Sequence, residues 1–244
     1  MRVKLIVAYD GTNYKGWQVQ PNGITIEEVL NKKLTELLGE EITVTGASRT
    51  DSGVHSLGNV AVFDTNTRMP AEKISFALNQ RLPEDIVVQD SCEVPEDWHP
   101  RYQNSRKTYE YRILNRTFRM PSRRFDTYFY YHPLDVGKMQ KAASYLVGEH
   151  YFKSFCAIGA QVKTTVRTVY ACDVLKEGDI ITIRVTGNGF LYNMVRIIAG
   201  TLIQVGGGAV PPERIPEILA AQERSAAGPT APAQGLTMMG ITFE

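Results

Sequence analysis

The chain has 244 residues, more than one average domain of about 150, and its 43% hydrophobic and 22% charged content is that of a protein able to bury a core. A net charge of +1 by itself argues against a strongly nucleic-acid-binding protein, and three scattered cysteines (Cys92, Cys156, Cys172) without a CxxC indicate neither a disulfide framework nor a cysteine zinc site. The apolar run near the N-terminus is too short for a signal h-region, and none elsewhere approaches the ~18 residues of a membrane span, so a cytoplasmic protein with no membrane partner is expected.

Residues 3–8 are almost continuously apolar and end in Asp10-Gly11, which predicts a buried strand closed by a turn. Ile26, Val29, Leu30, Leu34, Leu37 and Leu38 have helical spacing, with Thr25 and Glu28 as a capping box and Gly39 as a stop. Strands are predicted over 41–47 and 59–65, a helix over 70–82 and a strand over 85–94. The order β-α-β-β-α-β is the ferredoxin-like arrangement. The second half repeats it with a strand over 107–115, a helix over 136–147, strands over 166–176 and 179–186, a helix over 191–205 and a closing strand over 236–243. Two pieces are inserted, a strand within 125–131 and a short helix over 213–222. The expected class is therefore α+β, with two tandem ferredoxin-like units, 1–100 and 101–244, and a largely antiparallel mixed sheet. The stretch AAGPTAPAQG (226–235) has linker composition, but with a strand still to follow it is read as a structured loop.

The modest net charge conceals an asymmetry. Between Arg101 and Arg124 lie eight basic residues and one acid, Glu110, interleaved with Tyr102, Tyr109, Tyr111 and Phe118, which leaves the rest of the chain net acidic. Such a block suits phosphate contacts combined with base stacking, although a solvated arginine-rich loop has the same composition.

In GASRTDSGVH (46–55), Asp51 follows a strand and precedes Ser52-Gly53, a turn that would lift its carboxylate out of the sheet. Most Asp-Ser-Gly turns are only turns. Arg49 lies two residues earlier, on the same side of extended backbone, where its charge would keep Asp51 ionised. An ionised carboxylate attacks carbon or stabilises a cationic sugar. No competing constellation is present: GASRT fails GxSxG at its last position, GxxxxGK[ST] and HExxH are absent, and His55, His99, His132 and His150 lack metal-ligand spacing. No metal site is expected.

YDGTNYKGWQVQ (9–20), GASRTDSGVHSLGNVAVF (46–63), RKTYEYRI (106–113), GNGFLYNMVR (187–196) and GPTAPAQGL (228–236) occur in that order, and with them the chain resembles the bacterial tRNA pseudouridine synthases of the TruA family along essentially its whole length. It departs from that pattern at Ser56, where Ala is usual, and at Tyr151, where Asp is common. The resemblance implies a pseudouridine synthase fold and the isomerisation of uridine to pseudouridine at positions 38 to 40 of the tRNA anticodon arm, by a homodimer. It implies that Asp51 is the essential aspartate, that Tyr109 stacks on the target base, that Arg49 fills the space vacated by a flipped nucleotide, and that Arg196 is the ionic partner of the catalytic carboxylate. The reaction involves no redox change and no phosphate transfer, so no cofactor is expected. From the residues alone, Tyr109 reads as core, and Arg196 lies off the stripe Leu191, Met194, Val195, Ile198, Leu202, Val205 and reads as exposed. A non-catalytic RNA-binding module is the competing reading, against which the RNP1 pattern is missing. A nucleosidase would need a second carboxylate, and none lies near the motif.

Overall fold

The structure is a computed structural model that describes residues 1–159 and 163–244. The chain forms two compact units, Met1–Asn104 together with Met238–Glu244, and Ser105–Thr237.

The first unit runs β1 (Arg2–Tyr9), α1 (Ile26–Leu38), β2 (Thr45–Gly46), β3 (His55–Asp64), α2 (Ala71–Asn79) and β4 (Ile86–Val94), the predicted β-α-β-β-α-β order. β1 pairs antiparallel with both β3 and β4, setting Val3 opposite Phe63 and Leu5 opposite Ala61. β2 adds to β3, and the last strand, β10 (Leu236–Phe243), also lies beside β3. Burial alternates along β1, so Val3, Leu5, Val7 and Tyr9 form one core with Ile26, Leu30 and Leu34 of α1 and Ile74 and Leu78 of α2. Fully burying each large aliphatic side chain stabilises by about 1.5–3 kcal/mol. The N-cap half of the predicted capping box and the predicted stop are present: Thr25 Oγ1 accepts from Glu28 N at 3.3 Å, and Gly39 closes the helix in the left-handed region at φ 70°.

The strand predicted over 41–47 is reduced to two residues. Its alternation is genuine, since Ile42 and Val44 are buried, but their backbone donors are satisfied by α1 side chains instead of a ladder. Ile42 N donates to Thr35 Oγ1 at 3.0 Å and Val44 N to Asn31 Oδ1 at 2.8 Å.

The second unit comprises β5 (Ser105–Asn115), β6 (Tyr128–Tyr130), α3 (Val136–Ser144), β7 (Gly148–Tyr151), β8 (Val166–Glu177), β9 (Ile180–Gly187), α4 (Met194–Gly206) and α5 (Ile215–Ala221). Its sheet order is β5-β9-β8-β7, antiparallel throughout, with β6 running parallel to the end of β5. Tyr111, Ile113, Ile181 and Ile183 are fully buried on one face of this sheet. Here α3 packs on β8 and α4, and α4 packs on β5. Strand β7 has no counterpart among the predicted elements; GEHY carries no apolar alternation to signal it. The chain is thus α+β with a largely antiparallel mixed sheet. Among the described residues no helix is long and apolar enough to cross a membrane.

Candidate active site

β2 ends in a bend at Ala47, and between there and Asp51 burial alternates: Ser48 and Thr50 face the core, Arg49 is exposed and Asp51 is half-buried. The chain then turns. Asp51 O accepts from Val54 N at 3.2 Å, and Gly53 occupies the left-handed region at φ 77°. The two residues that face away from the core, Arg49 and Asp51, are those singled out from the sequence.

What holds this turn is the loop that follows β1. Trp17 N donates to Thr50 O at 3.1 Å, while Gly53 N and Ser52 Oγ both donate to Tyr14 O, at 3.3 and 3.2 Å. On the core side, Tyr9 Oη and Thr50 Oγ1 are 2.7 Å apart, and Asn59 Nδ2 donates to Ser48 O at 3.0 Å. Burial pushes the Tyr9 phenol up to about 12, against hydrogen bonds from Thr50, Asn59 and Ser56 that pull the other way, so Tyr9 is a neutral anchor at physiological pH. Two glycines make the close approach possible. A Cβ on Gly16 would lie 2.5 Å from Thr50 O and 3.0 Å from the Asp51 carbonyl carbon, and one on Gly11 would lie 2.0 Å from Val54 O. Gly16 is also in the left-handed region, at φ 86°. The stretch YDGTNYKGW is therefore the clamp on the backbone of the Asp51 turn. Its sequence signal was the pair of glycines five residues apart. His55, buried beside this clamp, accepts from Gly11 N through Nδ1 at 3.2 Å and has a structural role.

In the second unit Tyr109 is buried, with the fully buried Tyr111 and Ile113 on the same face of β5. Its ring meets that of Phe190 edge-on, with centroids 5.2 Å apart and planes at 84°.

Arg196 is half-buried, which corrects the exposed position its place off the apolar stripe predicts. All of α4 except Arg196 and Gln204 is buried, because the loop 226–235 covers the face that the periodicity leaves polar. Among the bonds that hold the guanidinium, Nε donates to Ala231 O at 2.8 Å and Nη1 to Asn193 Oδ1 at 2.9 Å. Ala231 N returns a bond to Arg196 O at 3.0 Å. Asn193 caps the helix in the left-handed region at φ 59°, a conformation that Asn tolerates better than other side chains and that is concentrated at functional sites. The loop is itself tied down. Gly228 N donates to Thr201 Oγ1 at 2.9 Å, and Arg224 bonds Gly228 O at 2.8 Å and Thr230 Oγ1 at 3.2 Å. The low-complexity composition of 226–235 thus belongs to a structured loop, as its position before a strand predicts.

The basic block is less available than its charge implies. Arg112 and Arg184 both pair with the buried Glu110, at 2.8 and 2.5 Å; burial alone would raise the Glu110 carboxyl, but the two arginines hold it below the usual carboxylate range. Arg116 pairs with Asp179 at 3.4 Å and Arg123 with Asp126 at 2.7 Å. Arg106, Arg119 and Arg124 lie over the rings of Tyr170, Phe129 and Phe125.

The antiparallel α+β fold thus presents an aspartate on a rigidly clamped turn, with an arginine two residues before it. A family model described as tRNA pseudouridine synthase matches residues 5–103 and 142–244. The chain belongs to the tRNA pseudouridine synthase family. Proteins named tRNA pseudouridine synthase A from Thermoanaerobacter sp. (strain X514) and Ruminiclostridium cellulolyticum are 49% and 50% identical to it, each over 99% of both chains. The protein of that name from Geotalea uraniireducens is 46% identical over the same share.

Proposed function

We propose that this protein isomerises uridine to pseudouridine in tRNA, at positions 38 to 40 of the anticodon arm, and that it works as a cytoplasmic homodimer. The observation that carries the reading is the unbroken match, at 49–50% identity over 99% of both chains, to proteins named for that activity. The target nucleotide leaves the helical stack. The C1′–N1 bond breaks, the freed uracil rotates, and C5 bonds to C1′; the C5 proton is released and N1 is reprotonated. Asp51 acts on the sugar, either attacking C1′ as a nucleophile or removing the C2′ proton toward a glycal. Arg196 and Tyr109 bind the substrate, Tyr109 by stacking on the base, and Arg49 fills the vacated position. The clamp on the backbone of the Asp51 turn and the bonds that hold the Arg196 guanidinium support these roles, since the turn and the guanidinium are fixed before substrate arrives.

Tritium release from tRNA carrying 5-tritiated uridine tests the reading, because only replacement of the C5 hydrogen frees the label. Release is expected with tRNA bearing uridine at positions 38 to 40 and is expected to vanish when those uridines are replaced. Free uracil as product would indicate a nucleosidase, and binding without release an RNA-binding module. At Tyr109, stacking as the main role predicts that Tyr109→Phe keeps activity within about tenfold of wild type, while Tyr109→Ala loses roughly 10²-fold or more. Equal, near-total losses would assign the essential role to the phenolic hydroxyl.

A further inference from the structure

In the first unit, Tyr102 is 83% exposed, yet it is fixed. Its ring lies on the imidazole of His99, with centroids 4.2 Å apart and planes 20° apart. The turn beneath the pair is closed by Tyr102 N donating to His99 O at 3.1 Å, and Arg101 N donates to His99 Nδ1 at 3.2 Å, which locks the imidazole under the phenol. Arg101, itself exposed, donates through Nε to Gly46 O at 2.8 Å. That bond ties the turn to the end of β2, three residues before Arg49 and five before Asp51. The Arg101 guanidinium is held below its usual proton affinity by partial burial first and by the charge of Arg49 second, so the two cations are neighbours on this surface.

A solitary exposed aromatic normally means little. Here one face of the ring is covered by a second ring, the opposite face is open to solvent, and the backbone beneath is fixed by three hydrogen bonds. A guanidinium stands at the next residue, and the assembly is anchored to the strand that leads into the Asp51 turn. An unpaired nucleobase needs such a surface: a rigid π-face that costs little ordering entropy on binding, with a cation beside it for the adjoining phosphate. Although Glu27 also acts on Arg101, the neighbouring guanidiniums of Arg101 and Arg49 suit an anionic partner such as RNA better than an apolar protein surface.

We propose that Tyr102, backed by His99, is a stacking platform for an unpaired nucleobase of the RNA substrate next to the reacting nucleotide, with Arg101 neutralising the adjoining phosphate. This rests on the tRNA-modifying reading above. Because every base has a π-face, the platform accepts any base and contributes affinity without sequence preference.

The test uses the full-length protein with tRNA. Loss of one base stack predicts that Tyr102→Ala raises KM and Kd for tRNA by about tenfold to a hundredfold, with kcat at saturating tRNA within about twofold of wild type. Tyr102→Phe and Tyr102→Trp should bind as wild type does. The indole of the Tyr102→Trp variant should be quenched on adding tRNA, measured against the signal of Trp17 and Trp98 in the wild type. Wild-type Kd and KM in Tyr102→Ala, or an indole unmoved by tRNA that demonstrably binds, would overturn the platform and leave the enzyme reading standing. A wild-type protein that neither binds tRNA nor releases tritium would overturn that reading and the platform with it. Competition for the Tyr102 surface by a protein, with tRNA binding unaffected, would also count against it. Exposure at position 102 means that the alanine variant should unfold at the wild-type temperature.

Discussion

Asp51→Asn abolishes tritium release, lowering it on the order of 10³-fold or more, while tRNA binding stays at its wild-type value. The substitution is nearly isosteric and removes only the charge. Neither proposed route tolerates that loss, since an amide neither attacks C1′ nor accepts the C2′ proton. The backbone of the turn, by contrast, is held by other atoms. The contacts that shape the turn are made by backbone atoms of residue 51, its carbonyl accepting from Val54 N and its carbonyl carbon lying beneath Gly16, and by its neighbours Thr50 and Ser52, bonded to Trp17 and Tyr14. An Asn variant with full activity would remove Asp51 from the mechanism. One that loses tRNA binding in parallel would place its role in recognition instead.

The turn at Asp51 and the outward side it shares with Arg49 are legible because their signals are local: a turn triplet after an alternating strand, with the two residues two positions apart. The clamp around them is not, because its informative residues are glycines. Gly11 and Gly16 read as turn punctuation in the sequence, and only the backbone of residues 50 to 54 lying against them shows why a side chain is excluded. In the same way, the helical period around Arg196 was read correctly, yet the prediction of exposure failed. Periodicity reports only the face turned toward the sheet, and the cover on the other face comes from residues 226–235, some thirty positions away. The strand at 41–47 failed for a third reason. Its side chains alternate as a strand's do, but its amides are taken by Thr35 and Asn31 of α1, a choice no hydrophobic pattern encodes. Local period and turn chemistry thus recover the order of the elements apart from β7, while the surroundings of a functional side chain depend on polar and backbone contacts between distant segments.

That dependence makes Gly200 the position where a single methyl group should do most structural damage in the second unit. Gly200 lies in the middle of α4, where intrinsic propensity alone predicts that Gly→Ala stabilises by about 1 kcal/mol. The structure predicts the opposite sign. A Cβ there would sit 1.8 Å from Pro229 O and 2.9 Å from Pro229 C. Both are backbone atoms, not the end of a side chain that can swing aside, so helix and loop must separate by more than 1 Å. The loop cannot yield cheaply, being pinned by Gly228 N on Thr201 Oγ1, by Arg224 on Gly228 O and by Ala231 N on Arg196 O. Overpacking of this kind costs about 1–3 kcal/mol, and each broken buried hydrogen bond adds about 1 kcal/mol, so the clash outweighs the propensity gain. A fall in Tm of roughly 2–4 °C per kcal/mol is expected for a chain of this size. Gly240→Ala supplies the comparison, because a Cβ there meets nothing within 4 Å and should leave Tm nearly unchanged. Activity distinguishes the two further. Ala231 O holds Arg196 Nε, so moving the loop turns the guanidinium, and Gly200→Ala should lose kcat even at temperatures where it remains folded. A Gly200→Ala protein with a raised Tm and wild-type kcat would show that the loop does not hold Arg196, and the proposed role of the 226–235 segment would have to be abandoned.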